Sequence, residues 1–150
     1  MIKEMTIEDI PRLAEMAREF HKYAIADKGL GFSPSDFIKY STFLMESPVA
    51  NILMLGIEGK TVGTIAGIIA PWFMNFSQLI LTELWWWVDP EYRKGNLAFG
   101  LLDALTEWGR YRGATTFIMV SIGAEREGAV KRYYKRKGFA YMETHFVKEI

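Results

Sequence analysis

The sequence contains no cysteine. Disulfides, thiolate metal sites and a cysteine nucleophile are therefore excluded, and a cytoplasmic location is expected. Its two histidines, His21 and His145, lie far apart with no second ligand at metal spacing, so no metal is expected. No apolar run approaches the ~18 residues a membrane span requires. The opening MIKEMTIEDI carries charges where a secretory signal would have its apolar stretch. Neither charge sign dominates: 18 basic residues balance 18 acidic ones, and nothing steers the whole chain toward nucleic acid or an anionic membrane. Neither is expected as a partner. Internal repeats and low-complexity tracts are also lacking.

Apolar and aromatic residues are abundant, at 50% and 15% of the 150 residues. That length suits one domain, expected over residues 1–150, with a single core. Filling the core is the first use for the aromatic excess. Lining a ligand groove or covering the subunit contact of a homodimer are the alternatives.

Along the chain, residues 2–5 suit a short strand. Thr6 with Asp9 three residues on reads as a helix N-cap pair, and Ile7, Ile10, Leu13, Ala14, Ala17 and Phe20 mark the buried stripe of the helix that follows. Pro11 is late for a first-turn proline, which predicts an irregular start, and the helix should fade between Ala24 and Gly29. Ser33 or Ser35 can cap a second helix over residues 36–46. Residues 51–57 and 61–70 read as two strands joined by a tight turn at Glu58, Gly59 and Lys60. Pro71 should break that run. Trp72, Phe73, Met74 and Phe76 then follow, expected to cap the core or else to face an acceptor or a second subunit, before a strand resumes near Gln78. Further on, residues 115–122 suit a strand, residues 125–137 a helix stopped by Gly138, and residues 139–148 a last strand. The order is β α α β β β α β α β, a mixed α/β pattern.

The chain is organised around residues 81–113, LTELWWWVDPEYRKGNLAFGLLDALTEWGRYRG. The bulky run 84–88 suits a buried strand, and Asp89 and Pro90 end it. Apolar positions 97, 98, 101, 102, 105, 108 and 109 then follow helical period. A basic, glycine-bearing turn thus leads into a helix N-terminus, whose N–H groups suit a phosphate. Within the strand, Glu83 is the only acidic residue from Leu79 to Val88. A carboxylate among so many apolar side chains should have a raised pKa and serve as a base near neutral pH. A Glu reaching solvent or an arginine from the strand entrance is the alternative. Alternation puts Glu83 on one face with Trp85 and Trp87, and Leu84, Trp86 and Val88 on the other, unless a bulge intervenes.

The string VDPEYRKGNLAFGLL resembles the acyl-coenzyme A loop of the GNAT superfamily of N-acetyltransferases: an Arg or Gln, two residues, Gly, one residue, then Gly or Ala. Arg93 and Ala98 fill the first and last places, and Asn96 stands where the family usually has Gly. Asn tolerates a left-handed backbone better than most residues. The string YYKRKGF is a second resemblance, with Tyr134, Arg136, Gly138 and Phe139 in register, and Glu127 replacing an Asn common in the family. The two motifs and the strand order cover most of the chain from about Asn51 onward.

The resemblance implies a GNAT fold, a central mixed, mostly antiparallel sheet flanked by helices and splayed at the central strand. It also implies acetyl-coenzyme A as co-substrate and a primary amine as acceptor, on a small molecule or on a protein lysine or N-terminus. The implied coenzyme residues are Arg93, Lys94, Gly95, Asn96, Leu97, Ala98 and Phe99 for the diphosphate. Trp86, Trp87 and Val88 would pair with the pantetheine arm. Glu83 would be the base and Tyr134 the acid to the departing thiolate. The connection between the first two helices would form part of the acceptor pocket. A non-catalytic acyl-coenzyme A-binding or protein-interaction module on the same fold is the alternative that Asn96 and Glu127 leave open.

Overall fold

The first helix begins in two stages. The Asp9 carboxylate accepts hydrogen bonds from the Thr6 N–H at 2.9 Å and the Thr6 hydroxyl at 3.0 Å. This holds a 3-10 turn over Ile7–Asp9 before α1 proper, Ile10–Ala24. Pro11 therefore falls within the first helical turn, where its missing N–H costs no hydrogen bond. The computed structural model describes residues 1–93, 96–121 and 127–150. Ser33 caps α2, Pro34–Glu46, by accepting from the Asp36 N–H at 3.4 Å. The remaining helices are α3, Leu97–Tyr111, and α4, Glu127–Arg136.

Five strands form one sheet among the described residues, in the order β1 (Ile2–Glu4), β2 (Ala50–Ile57), β3 (Lys60–Trp72), β4 (Asn75–Val88) and β5 (Thr116–Ile118). All neighbours are antiparallel except β4 and β5, which are parallel. The mixed α/β order and the antiparallel bias expected from the sequence are therefore present. The β2–β3 turn places Glu58 at φ 48° and Gly59 at φ 79°, the left-handed pair a two-residue hairpin demands.

Alternation along β2 separates two cores. Ile52 and Met54 face Leu13 and Met16 of α1 and Leu44 of α2, whereas Leu53 and Leu55 join Leu101, Leu102 and Leu105 of α3 and the Tyr133–Tyr134 pair of α4. Each fully buried aliphatic side chain of this kind contributes roughly 1.5–3 kcal/mol. The α3 helix can lie this close because Gly67 leaves space on β3. A Cβ there would stand 2.9 Å from Leu81 Cδ1, 3.1 Å from Leu105 Cδ2 and 3.2 Å from the Thr82 carbonyl oxygen.

Several expectations are corrected. Pro71 does not break the run: β3 continues to Trp72, with Pro71 opposite Leu79. Beyond the Ile69 N–H, which reaches the Val49 carbonyl, β3 has no partner on its β2 side among the described residues, so the missing proline N–H deletes no ladder bond there. Phe73, Met74 and Phe76 do not cap the core but stand 71%, 75% and 76% exposed at the tip of the β3–β4 hairpin. Ile7, expected in the buried stripe, is exposed, and Met16 is buried instead, because the helix starts later than Thr6.

β5 covers only Thr116–Ile118 of the expected 115–122, and Ile122 lies outside the described residues, as do positions 125 and 126 at the expected start of α4. Residues 139–148 form no strand, and Tyr141 and Phe146 are exposed. Their β-prone composition finds no ladder partner among the described residues, and strand formation depends on such a partner more than on composition. Gly138, at φ 86°, does end α4. The Phe139 N–H bonds the Tyr134 carbonyl and the Gly138 N–H the Lys135 carbonyl, while the Phe139 ring packs on Tyr134 at 5.3 Å.

Candidate active site

The site is set by an irregularity in β4. Ala66 pairs with Trp85 but Gly67 pairs with Glu83, so Leu84 is an extra residue, a β-bulge. Strict alternation is overturned there. Trp85 and Trp87 pack into the α1/α2 core with Leu84 against them, whereas Trp86 and Val88 belong to the α3/α4 side. Glu83 does not share the face of Trp85 and Trp87. Its carboxylate accepts a hydrogen bond from the Val120 N–H at 3.0 Å, just past β5.

The Val120 carbonyl accepts from the Tyr134 hydroxyl at 2.9 Å. One peptide residue thus ties together two side chains 51 positions apart. Burial pushes the Glu83 carboxyl up to about 7, and the Val120 N–H partly opposes it. Burial raises the Tyr134 phenol as well, and the nearby Glu83 charge adds to the rise, so the phenol keeps its proton throughout the physiological range. Among the described residues the polar contact of the Glu83 carboxylate is the Val120 backbone amide, and the residue keeps partial exposure.

On its β5 side, β4 is paired only at Ile80, Leu81 and Thr82 among the described residues. From Glu83 to Val88 no described residue pairs with that edge, in keeping with the splay expected at the central strand. Trp86 Nε1 and Ser121 Oγ are buried with no hydrogen-bond partner among the described residues. Buried polar atoms of this kind call for a partner, and a polar chain laid along the open edge would supply one. The Trp86 ring lies between Tyr134, at 6.4 Å, and Phe99, at 6.2 Å. Phe99 in turn stacks on Tyr133. Tyr133, a quarter turn from Tyr134, is buried in the same core.

The basic turn follows directly. Arg93 donates from Nε to the Val88 carbonyl at 2.7 Å, and its guanidinium lies 4.3 Å from the Trp87 ring centroid and 5.0 Å from that of Tyr23. Lys94 and Gly95 lie outside the described residues. Asn96 precedes α3 at φ −99°, ψ 0°, so it adopts no left-handed backbone, and its side chain makes no capping bond. Leu97 is exposed, whereas Ala98 and Phe99 pack partly against the α3/α4 core.

Sequence reasoning missed a second set of residues on the opposite face of β4. Asp89 accepts from the Trp87 indole N–H at 3.1 Å and pairs with the Arg12 guanidinium. Nothing local in the sequence marks that pair, 77 positions apart. A cavity of about 190 Å³ lies between α1, α2 and β4, walled by side chains including Ala17, Phe20, Phe32, Phe37, Leu84 and Trp85. The period of α1 pointed to Ala17 and Phe20 as buried, but not to a space beside them. His21, at its edge, bonds the Leu30 carbonyl through Nε2 at 2.6 Å and stacks on Phe32 at 5.7 Å. Among the described residues no three His, Cys, Asp or Glu side chains converge as metal ligands, and no helix is long and apolar enough to cross a membrane.

Residues 12–139 match the model of a family described as Acetyltransferase (GNAT). No curated protein sequence matches the chain. Many solved structures share its fold. An aminoglycoside acetyltransferase, HMB0005, from an uncultured soil metagenomic sample superposes with a TM-score of 0.76 at 19% identity, covering 100% of this chain and 97% of that one. A ribosomal-protein-alanine N-acetyltransferase from Brucella melitensis biovar Abortus 2308 gives 0.75 at 14% identity, covering 100% and 99%. A predicted acetyltransferase with acetyl-CoA from Clostridium acetobutylicum gives 0.76 at 15%, covering 99% and 95%. At these identities the likeness is one of fold.

Proposed function

Because the chain belongs to the acetyltransferase (GNAT) family and is an acetyl-coenzyme A-dependent N-acetyltransferase, we propose that it acetylates a primary amine by direct attack, with Glu83 as base and Tyr134 as acid. Acetyl-coenzyme A, when bound, supplies the acyl thioester and leaves as the thiol. Glu83 accepts the proton of the attacking nitrogen, directly or through a water, and is suited to this by a carboxyl that titrates near neutrality. Tyr134 delivers its proton to the sulfur as the carbon–sulfur bond breaks and the carbon–nitrogen bond forms. With no cysteine in the chain, no acyl-cysteine enzyme is formed on the way.

The residues proposed to hold the coenzyme are Arg93, Lys94, Gly95, Asn96, Leu97, Ala98 and Phe99 around the diphosphate, with the open β4 edge at Trp86, Trp87 and Val88 along its arm. The acceptor is a small-molecule amine or a protein lysine or N-terminus. The neighbours' names, an aminoglycoside acetyltransferase and a ribosomal-protein-alanine N-acetyltransferase, support an amine and leave its class open.

The observation that carries this reading is the single Val120 residue bonded to both proposed proton carriers. Calorimetry with acetyl-coenzyme A, followed by thiol release across a panel of amines, tests it. Heat on binding and amine-dependent thiol release are expected. Folded protein that gives neither heat nor thermal protection at millimolar coenzyme would refute it.

A further inference from the structure

Asp89 joins β4 to the basic turn, and each of its polar groups has a partner. Its N–H donates to the Val62 carbonyl of β3 at 2.8 Å, and its carbonyl accepts from the Tyr92 N–H at 2.9 Å. One carboxylate oxygen accepts from the Trp87 indole N–H at 3.1 Å, and the other pairs with the Arg12 guanidinium. Arg12 stands on α1 and also donates from Nε to the Thr61 carbonyl at 3.0 Å, so one side chain bridges α1, the start of β3 and the end of β4. Its remaining contact, with Glu15 at 3.1 Å, lies toward solvent. The Arg12–Asp89 pair is better shielded, with the Asp89 side chain 15% exposed. A charge-assisted bond in that setting holds its geometry more firmly than a solvated surface pair.

A second route carries the same tie into the turn. The Trp87 ring, held through its indole N–H by Asp89, lies 4.3 Å from the Arg93 guanidinium, and Arg93 Nε holds the Val88 carbonyl at 2.7 Å. Tyr23 of α1 faces the same guanidinium at 5.0 Å. Asp89 thus stands between the strand end proposed to pair with the coenzyme arm and the turn proposed to meet its diphosphate. We infer that Arg12 and Asp89 are positioning residues for acetyl-coenzyme A: their ion pair fastens the end of β4 and the turn at Pro90–Tyr92 to α1, in the arrangement that receives the coenzyme. This rests on the coenzyme placement proposed above and adds to it two residues that touch neither Glu83 nor Tyr134 among the described contacts.

Calorimetry of the full chain with acetyl-coenzyme A tests it. Arg12→Gln and Asp89→Asn should each raise Kd by about tenfold, a coupling within the range that residues in contact show, while the binding stoichiometry stays near that of wild type. Asn can still accept from Trp87, so Asp89→Asn isolates the charge pair from the indole bond. Arg12→Met, which keeps the aliphatic stem, replaces Arg12→Gln if that variant does not fold. The double variant should bind within about twofold of the weaker single variant, because both substitutions break one bond. A merely structural tie would lower the melting temperature and the stoichiometry, which counts folded molecules, and leave Kd within about twofold of wild type. That result would overturn the positioning role and leave the acetyltransferase reading standing. Losses that multiply in the double variant to about 100-fold would overturn the shared tie. Wild-type protein that gives no heat with the coenzyme would overturn the placement and the positioning role together.

Discussion

Replacing Glu83 with Gln should make the protein more stable and less active, with both effects depending on pH in a calculable way. Burial holds the carboxyl at about 7, against an ordinary 4.5, with the Val120 N–H pulling the other way. At ~1.4 kcal/mol per tenfold, that gap disfavours the ionised form inside the fold by roughly 3 kcal/mol. Because Glu83 keeps some exposure, the figure is an upper bound. Between pH 4.5 and about 7 the native protein retains a proton that the unfolded chain has released. Native stability is therefore full below pH 4.5 and falls as pH rises through this window. Gln carries no charge, and its amide oxygen can still accept from Val120.

Urea denaturation at several pH values should accordingly show wild type and Glu83→Gln alike near pH 4.5. By pH 8 the variant should lead by about 2–3 kcal/mol. Over the same range the wild-type kcat/KM should rise with an inflection near 7, and the variant should fall at least ~100-fold below it above that point. The ammonium of a lysine or alkylamine acceptor titrates near ~10, so with such an acceptor the inflection near neutrality is diagnostic and a general rise is not. Two denaturation curves that stay parallel from pH 5 to 8, or a rate profile without the neutral inflection, would remove Glu83 from the role of a buried base.

Tyr134→Phe removes the donor to the Val120 carbonyl, at a cost of about 1 kcal/mol in stability. If the phenol protonates the leaving sulfur, turnover should fall by ~100-fold or more and recover with an acetyl thioester of a more acidic thiol. A wild-type rate would reassign the proton to water or substrate. Gly67→Ala should lower stability by about 1–3 kcal/mol in chemical denaturation, because the new methyl meets the Thr82 carbonyl and two fully buried leucines. An unchanged midpoint would refute the close approach of α3 to β3.

Local chemistry was legible without coordinates. The Thr6–Asp9 pair, the Glu58–Gly59 hairpin and the Gly138 stop each depend on backbone geometry within a few residues, which residue type dictates directly. The central strand, its basic turn and the following helix were readable for the same reason: period and punctuation are properties of a continuous segment. The mixed sheet order followed from the succession of such segments. What alternation could not supply was the face of Glu83, because one extra residue at Leu84 reverses the count and nothing in the string LTELWWW marks it. Residues 139–148 failed for a related reason, since a strand exists only where another backbone completes its hydrogen bonds.

By itself, the sequence determined the kinds and order of the elements as far as α4, and the two family motifs, all of which follow from short-range sterics and hydrophobic period. Only the tertiary structure decided that Glu83 and Tyr134 meet on the backbone of Val120, that Arg12 reaches Asp89, and that α1 and α2 leave an aromatic cavity beside the bulge. Those outcomes depend on which distant surfaces pack together, and packing is settled by the whole chain's shape.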